Sequence, residues 1–400
     1  MQSKRVIYVD YNFRDPRYPN KPGDGDSWFT HGFGGLYARK FKQFNPAYTV
    51  ECWKADRYAK STEVNVIENV RFVIFPAVSM GQFGLYSPAL IKALKRTVKS
   101  QPESIINISS FSHVLFYCIA ILLKKAHIVV QHHGESPARF KMQHHSGIRK
   151  LVWKALAILE YRAMRNVSIL YVLDKNVETW LGAKPRLIKV SSTGVDENLF
   201  RPIDTSLAKQ KLGLSHEKDY LLYIGKLNKT KGPDILIDVF TELRKELNNL
   251  ELILGGCSES DMFYQKAQLA GAHLIGKIPQ NEISLWMSAA SVYFLPKLSE
   301  AHKFGGVGML PVQAMFCNTP FIGGTMKCVD TELQPKLGFR ASETEEIMRA
   351  TQDVLRNIKD YSQIRELVLP IYSWKSISVE TEKDYRNLYI EKIHSANNLV

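Results

Sequence analysis

The chain reads as an α/β protein of two doubly wound domains facing across a cleft. Three observations lead there: a length of 400 residues, short apolar runs alternating with longer helical patterns, and a polar segment that splits these into two series. A chain of this length exceeds what one hydrophobic core organises, so two domains are the default. Alternating strand and helix patterns are the signature of βαβ units and parallel sheets.

In the first series the apolar runs at 6–9, 49–53, 72–75, 105–108, 128–131, 169–173 and 187–190 are expected strands. Helical patterns lie between them, among them 87–99 and 148–165. The second series has expected strands at 220–224, 250–254, 273–275, 292–295 and 321–322. Its helices are expected at 233–247, 259–270, 282–288 and 311–316. These strands are nearly all apolar, as required when helices cover both faces of a sheet. The dividing segment, 193–215, is richer in polar, Gly and Pro residues. The expected domains are 1–195 and 196–372, with 373–400 a closing helix that packs back on the first. Ligands of such sheets bind at the carboxyl ends of the strands, so the cleft between two of them is the natural site.

Composition removes several classes. With 45% hydrophobic and 23% charged residues, the chain is neither disordered nor fibrous. Its five cysteines are scattered without zinc-site spacing, and no metal site is expected. The first residues run directly into a strand pattern without a leader, so reduced thiols and a cytoplasmic location are expected. The longest apolar run, 114–123, ends at Lys124 and Lys125 and is too short to span a bilayer. The net charge of +14 favours polyanionic partners: phosphate-bearing substrates, an anionic membrane surface or a nucleic acid. The last is disfavoured, because no aromatic platform or groove-reading motif is present.

Four motifs stand where the topology puts ligands. Gly225 and Lys226 through Lys231 form a basic loop from strand to helix, whose two lysines suit a leaving diphosphate. A surface loop with solvated lysines has the same spacing. Glu300, then Phe304, Gly305 and Gly306 before a helix holding Gln313, make an anion cradle of free amides and a helix start. A flexible loop reads alike. His133 follows a strand end, and backbone bonding is the bland alternative for it. Gly34 and Gly35 open a helix after a long loop, with a spacing that does not fit the dinucleotide fingerprint. A Rossmann oxidoreductase is therefore disfavoured. Between 136 and 165 lie seven basic residues and one acid, Glu160, interspersed with apolar residues at helical period. That suits anionic lipid, and equally a core helix with a solvated basic face.

In this order, the motifs resemble glycosyltransferase family 4, the retaining GT-B enzymes with paired Rossmann-like domains. Thr193-Gly194-Val195-Asp196 with Phe200 and Pro202 is similar to the family's NGVD-x3-F-x-P. Gly225-Lys226 with Lys231-Gly232 is similar to its GR-x4-KG loop, Lys226 standing for the usual Arg. Pro296-x3-Glu300, Phe304-Gly305-Gly306 and Gln313-Ala314-Met315 resemble its PSxxE…FGG…EAM block. Tyr372-Ser373-Trp374 resembles FSW, and Gly34-Gly35 and His133 resemble the donor-contacting glycines and active-site histidine.

The resemblance implies a hexosyl transfer from a nucleotide-diphosphate sugar, with retained configuration and without metal or other cofactor. The acceptor it implies is a glycan or a lipid-linked molecule, in surface polysaccharide or glycoconjugate assembly, with the enzyme on the inner face of a membrane. Lys226, Lys231 and the amides near Gly305, Gly306 and Gly35 would hold phosphate. His133 would orient the donor sugar, Glu300 would bond its hydroxyls and Gln313 the ribose. The chain departs from the family at Gln313, which replaces a glutamate, and in the interval from Glu300, longer by five residues. Those departures motivate a second reading, a non-catalytic GT-B-like binding or scaffold subunit.

Overall fold

A computed structural model describes residues 4–10, 32–296 and 303–397, with side chains described as far as 390. It divides into two compact units: residues Met1–Ser191 with Ile377–Val400, and residues Ser192–Ser376.

Unit 1 carries strands β1 (Arg5–Asp10), β2 (Thr49–Asp56), β3 (Glu63–Ile67), β4 (Val70–Pro76), β5 (Val78–Ser79), β6 (Leu85–Tyr86), β7 (Ile105–Ser109), β8 (His127–Gln131), β9 (Val167–Val172) and β10 (Leu187–Val190). Its helices are α1 (Phe33–Phe44), α2 (Pro88–Ser100), α3 (Val114–Leu122), α4 (Ala138–Gln143) and α5 (Gly147–Met164). Eight strands form one sheet in the order β10-β9-β8-β7-β1-β2-β4-β3. All neighbours run parallel except β3, which lies antiparallel to β4. The parallel strands are the apolar runs expected from the sequence. Edge strand β3 is not among them, because its Glu63, Val64, Asn65 and Val66 are mostly exposed and no buried run marks it. Tyr37, Ala38 and Phe41 of α1 recur at helical spacing and are buried.

The long helix at Trp374–Asn397 is tied to unit 1 through its middle. Asn107 Nδ2 donates to Tyr385 Oη at 2.6 Å, and Tyr171 Oη donates to Asp384 Oδ2 at 2.8 Å. Lys189 pairs with the same Asp384.

Unit 2 carries β11 (Asp219–Ile224), β12 (Leu250–Gly255), β13 (His273–Ile275), β14 (Val292–Leu295), β15 (Phe321–Gly323) and β16 (Gly338–Phe339). They form a wholly parallel sheet in the order β13-β12-β11-β14-β15-β16. That is the doubly wound order, with its switch point between β11 and β14. Helices α6 (Thr205–Lys211), α7 (Pro233–Leu243), α8 (Tyr264–Leu269), α9 (Ile283–Ala289) and α10 (Met309–Phe316) belong to it. Helix α7 ends four residues earlier than expected, in turns that lead into β12. Helix α8 starts late because the Asp261 carboxylate accepts from Leu227 N at 3.2 Å and Ser258 N at 3.1 Å, holding the preceding residues as a loop. Residues Val195 and Ser373 form a β-bridge that closes the unit, and Gly194 lies against Trp374, where a Cβ would come within 2.4 Å of the ring.

Candidate functional site

In unit 2 the switch point positions two loops. Because β11 and β14 are parallel neighbours, the loops leaving their carboxyl ends start side by side. The loop after β11 begins at Gly225, whose φ of +152° is one that side chains rarely adopt. A Cβ there would also meet Tyr223 Oη at 2.9 Å. The same hydroxyl donates to Lys226 O at 2.9 Å, so the turn is pinned from beneath. Asp261 pins it from the side, through Leu227 N. Lys226 is exposed and Lys231 partly so, and among the described residues neither makes an ion pair or a side-chain hydrogen bond. Gly232, at φ +71°, caps α7, and Pro233 occupies its first turn.

The loop after β14 is described from Lys303 onward. Glu300, expected to bond the donor sugar, lies outside the described residues. Phe304 is fully buried and anchors the loop. Gly306 and Gly308 take φ of +65° and +92°, and α10 begins immediately after them. Gly305 and Gly306 therefore stand just before a helix N-terminus, where free amides face outward. Gln313 is buried on α10 without a side-chain hydrogen bond among the described residues.

In unit 1 the second constellation also sits at carboxyl ends of strands. Gly34, in the first turn of α1, comes so close to β1 that a Cβ would lie 2.8 Å from Asp10 Cβ and 3.0 Å from Ser109 Oγ. Only a glycine lets the helix start settle there, and Gly35 beside it is buried too. Asp10 is paired with Lys54 Nζ at 3.0 Å, both side chains being 1% exposed. The His133 ring stacks on Phe33 of α1 with centroids 4.0 Å apart, and tilts against Tyr37 at 5.8 Å. The structure thus brings the glycine helix start and His133 together.

Glu135 fixes the loop that carries His133. Its carboxylate accepts from His133 N and from Phe111 N, each at 2.9 Å, joining the loops after β8 and β7. Burial alone would raise the Glu135 carboxyl, but the adjacent His132 and His133 outweigh it and hold it down at about 2. Burial lowers the His133 imidazole to about 4, against the upward pull of Glu135, so the ring is neutral at pH 7. Both its nitrogens are buried without a partner among the described residues, as are Ser109 Oγ, Gln131 Oε1 and His132 Nδ1. Buried polar atoms left unpaired are costly, and these five gather at the carboxyl ends of β7 and β8.

Sequence reasoning passed over Glu135, Asp261 and the Asp10–Lys54 pair. Glu135 offered one signal, an acid two residues beyond the strand-end histidine. The other two act through contacts distant in sequence. Among the described residues no cluster of His, Cys, Asp and Glu is arranged to hold a metal ion.

Residues 204–366 match the family model for Glycosyl transferases group 1. A D-inositol 3-phosphate glycosyltransferase of Nocardioides is 24% identical over 244 residues, which cover 54% of this chain and 52% of that protein. The chain thus spans about half the length of that curated relative, and less of several others. Among solved structures, sucrose-phosphate synthase from Thermosynechococcus elongatus superposes with a TM-score of 0.66 at 16% identity, covering 97% of this chain and 100% of that one. HepE of Anabaena in complex with UDP gives 0.65 at 16%, covering 96% and 100%. At such identities the likeness shows the fold, two Rossmann-like α/β domains of the GT-B class, and the resemblance to GT-B glycosyltransferases stands.

Proposed function

We propose that the protein is a glycosyltransferase that takes a sugar from a nucleotide-diphosphate donor and passes it to a glycan or lipid-linked acceptor, with retained anomeric configuration. The observation that carries this reading is the placement of Lys226, Lys231 and the Gly305–Gly306 turn on loops from adjacent parallel strands at the switch point of unit 2. Two cations without an acidic partner, beside a helix start, suit a diphosphate. The HepE structure, with UDP bound, and the name of the inositol 3-phosphate relative point the same way.

In this reading Lys226 and Lys231 stabilise the charge that develops on the departing diphosphate, without a metal ion. The bond from the anomeric carbon to the phosphate oxygen breaks, a bond to the acceptor oxygen forms on the same face, and the acceptor proton moves to the leaving phosphate. Gln313 holds the ribose through its amide, and Glu300 bonds the sugar hydroxyls. From unit 1, Gly34 and Gly35 present amides to the donor. The neutral His133 ring orients the sugar as a hydrogen-bond partner that adds no charge. Surface polysaccharide or glycoconjugate assembly on the inner face of a membrane is the setting proposed. No helix among the described residues is long and apolar enough to cross a membrane.

The test is incubation of the purified chain with a panel of nucleotide sugars, with and without chelator. Acceptors would be a polyprenyl-phosphate-linked sugar, an oligosaccharide and D-inositol 3-phosphate. Release of nucleoside diphosphate and an axial or equatorial product matching the donor, unaffected by chelator, is the expected result. Binding of a nucleotide sugar with neither transfer nor hydrolysis would instead identify a scaffold subunit.

A further inference from the structure

Helix α5 turns the wrong side outward for a core helix. Residues of an α-helix advance 100° each, so Ile148, Leu151, Val152, Ile158 and Leu159 fall within one sector of about 120°. That sector faces solvent: Ile148 is 81% exposed, Leu151 65% and Ile158 51%. The opposite face is the buried one, formed by Trp153, Glu160 and Met164. Trp153 is seated beneath Lys141 Nζ at 4.6 Å and beside Phe83, with centroids 6.1 Å apart. The sequence left open whether the apolar residues of this helix enter the core, and the structure puts most of them outside.

The charges around the stripe are of one sign. Arg149, Lys150 and Lys154 are exposed on α5, and its one acid, Glu160, is 1% exposed and faces inward. Toward the end of the helix, Arg162 and Arg165 join Lys124, Ile121 and Asn166 in lining a cavity of about 480 Å³. None of these three cations has an acidic partner among the described residues. An apolar stripe along a helix about 27 Å long, flanked by cations and ending in a cationic cavity, is complementary to an anionic bilayer surface. It does not suit a second copy of the chain, which would bring the same cations face to face, nor a nucleic acid, which has no use for the leucines.

We propose that α5 lies in the interface of an anionic membrane, its apolar stripe at the acyl boundary and a lipid phosphate in the Lys124–Arg162–Arg165 cavity. This deepens the lipid-linked acceptor reading, yet it is carried by the surface of α5 alone and stands or falls separately from donor chemistry.

The experiment is sedimentation of the full chain with vesicles of phosphatidylcholine, with and without phosphatidylglycerol. Nucleotide-sugar binding is measured on the same preparations. The wild type should sediment with the phosphatidylglycerol vesicles and far less with phosphatidylcholine alone. Exchanging Ile148→Ser and Leu151→Ser should weaken the binding by about tenfold for each residue. Arg162→Gln with Arg165→Gln should weaken it about fivefold per cation, and inorganic phosphate at millimolar levels should not displace the protein. All four positions are exposed, so circular dichroism should not change. Failure of the wild type to sediment, or sedimentation undiminished in both variants, overturns the proposal while leaving donor binding untouched. Concentration-dependent self-association abolished by the serine pair would overturn it too, and assign the face to a second copy.

Discussion

Two buried titratable groups of unit 1 work in opposite directions with pH. Burial raises the Glu160 carboxyl to about 8, though it accepts from Ala138 N at 3.1 and 3.3 Å through its two oxygens. An acid with a folded value above its ordinary one binds more protons folded than unfolded. Its contribution is complete below the ordinary value of 4.5 and is lost as pH rises through about 8. Glu160→Gln keeps an acceptor for Ala138 N and removes the titration. The variant is expected to unfold at a higher temperature than wild type above pH 8, with the gap closing toward pH 5. Parallel melting curves across that range would show that Glu160 is ionised in the fold. His133, lowered to about 4, has the reverse sign, its contribution being lost as pH falls from the ordinary 6.5. At this scale the histidine and the two lysines stood out in the sequence as candidates, because strand ends and loops announce such positions. It did not show Glu135 or Asp261, whose roles depend on amides at Phe111 and Leu227, distant along the chain.

Elements were legible in proportion to how continuously apolar they are. Strand β14 matches its expected run end to end, since it lies inside the sheet and nearly all of it is buried. Edge strand β10 matches its run as well, although none of its residues is buried. Edge strand β3 and strand β5, largely exposed, and the two-residue strand β6 offered no such run. Helix α5 was recognised as a helix, but its orientation was not, because apolar residues on an outward face read like those on an inward one. The start of α1 shows how a single residue sets an element. Gly34→Ala would force a Cβ against Asp10 and Ser109, and should cost about 1–3 kcal/mol in urea unfolding, as overpacking does. Gly276→Ala, where a Cβ would meet nothing within 4 Å, serves as the comparison and should change stability by about 0.5 kcal/mol or less. Equal effects at both positions would mean that α1 is not seated on β1 as described.

For the whole molecule, the doubly wound order of unit 2 is the feature on which the proposed function rests, since it sends the Lys226 loop and the Gly306 loop out from neighbouring strands. The net charge of +14 agrees with the two anionic partners proposed, a diphosphate at that switch point and a lipid surface at α5. Alternation of strand and helix patterns made the α/β class readable from the sequence, whereas strand order is a matter of pairing that no local pattern records. The most direct measurement is calorimetric titration of a panel of nucleoside diphosphates into wild-type protein and into a Lys226→Ala, Lys231→Ala variant. Wild type should bind at least one of them, and the variant should lose about tenfold or more, the loss expected for charge-assisted hydrogen bonds. Equal affinity in both proteins would contradict a diphosphate at the switch point.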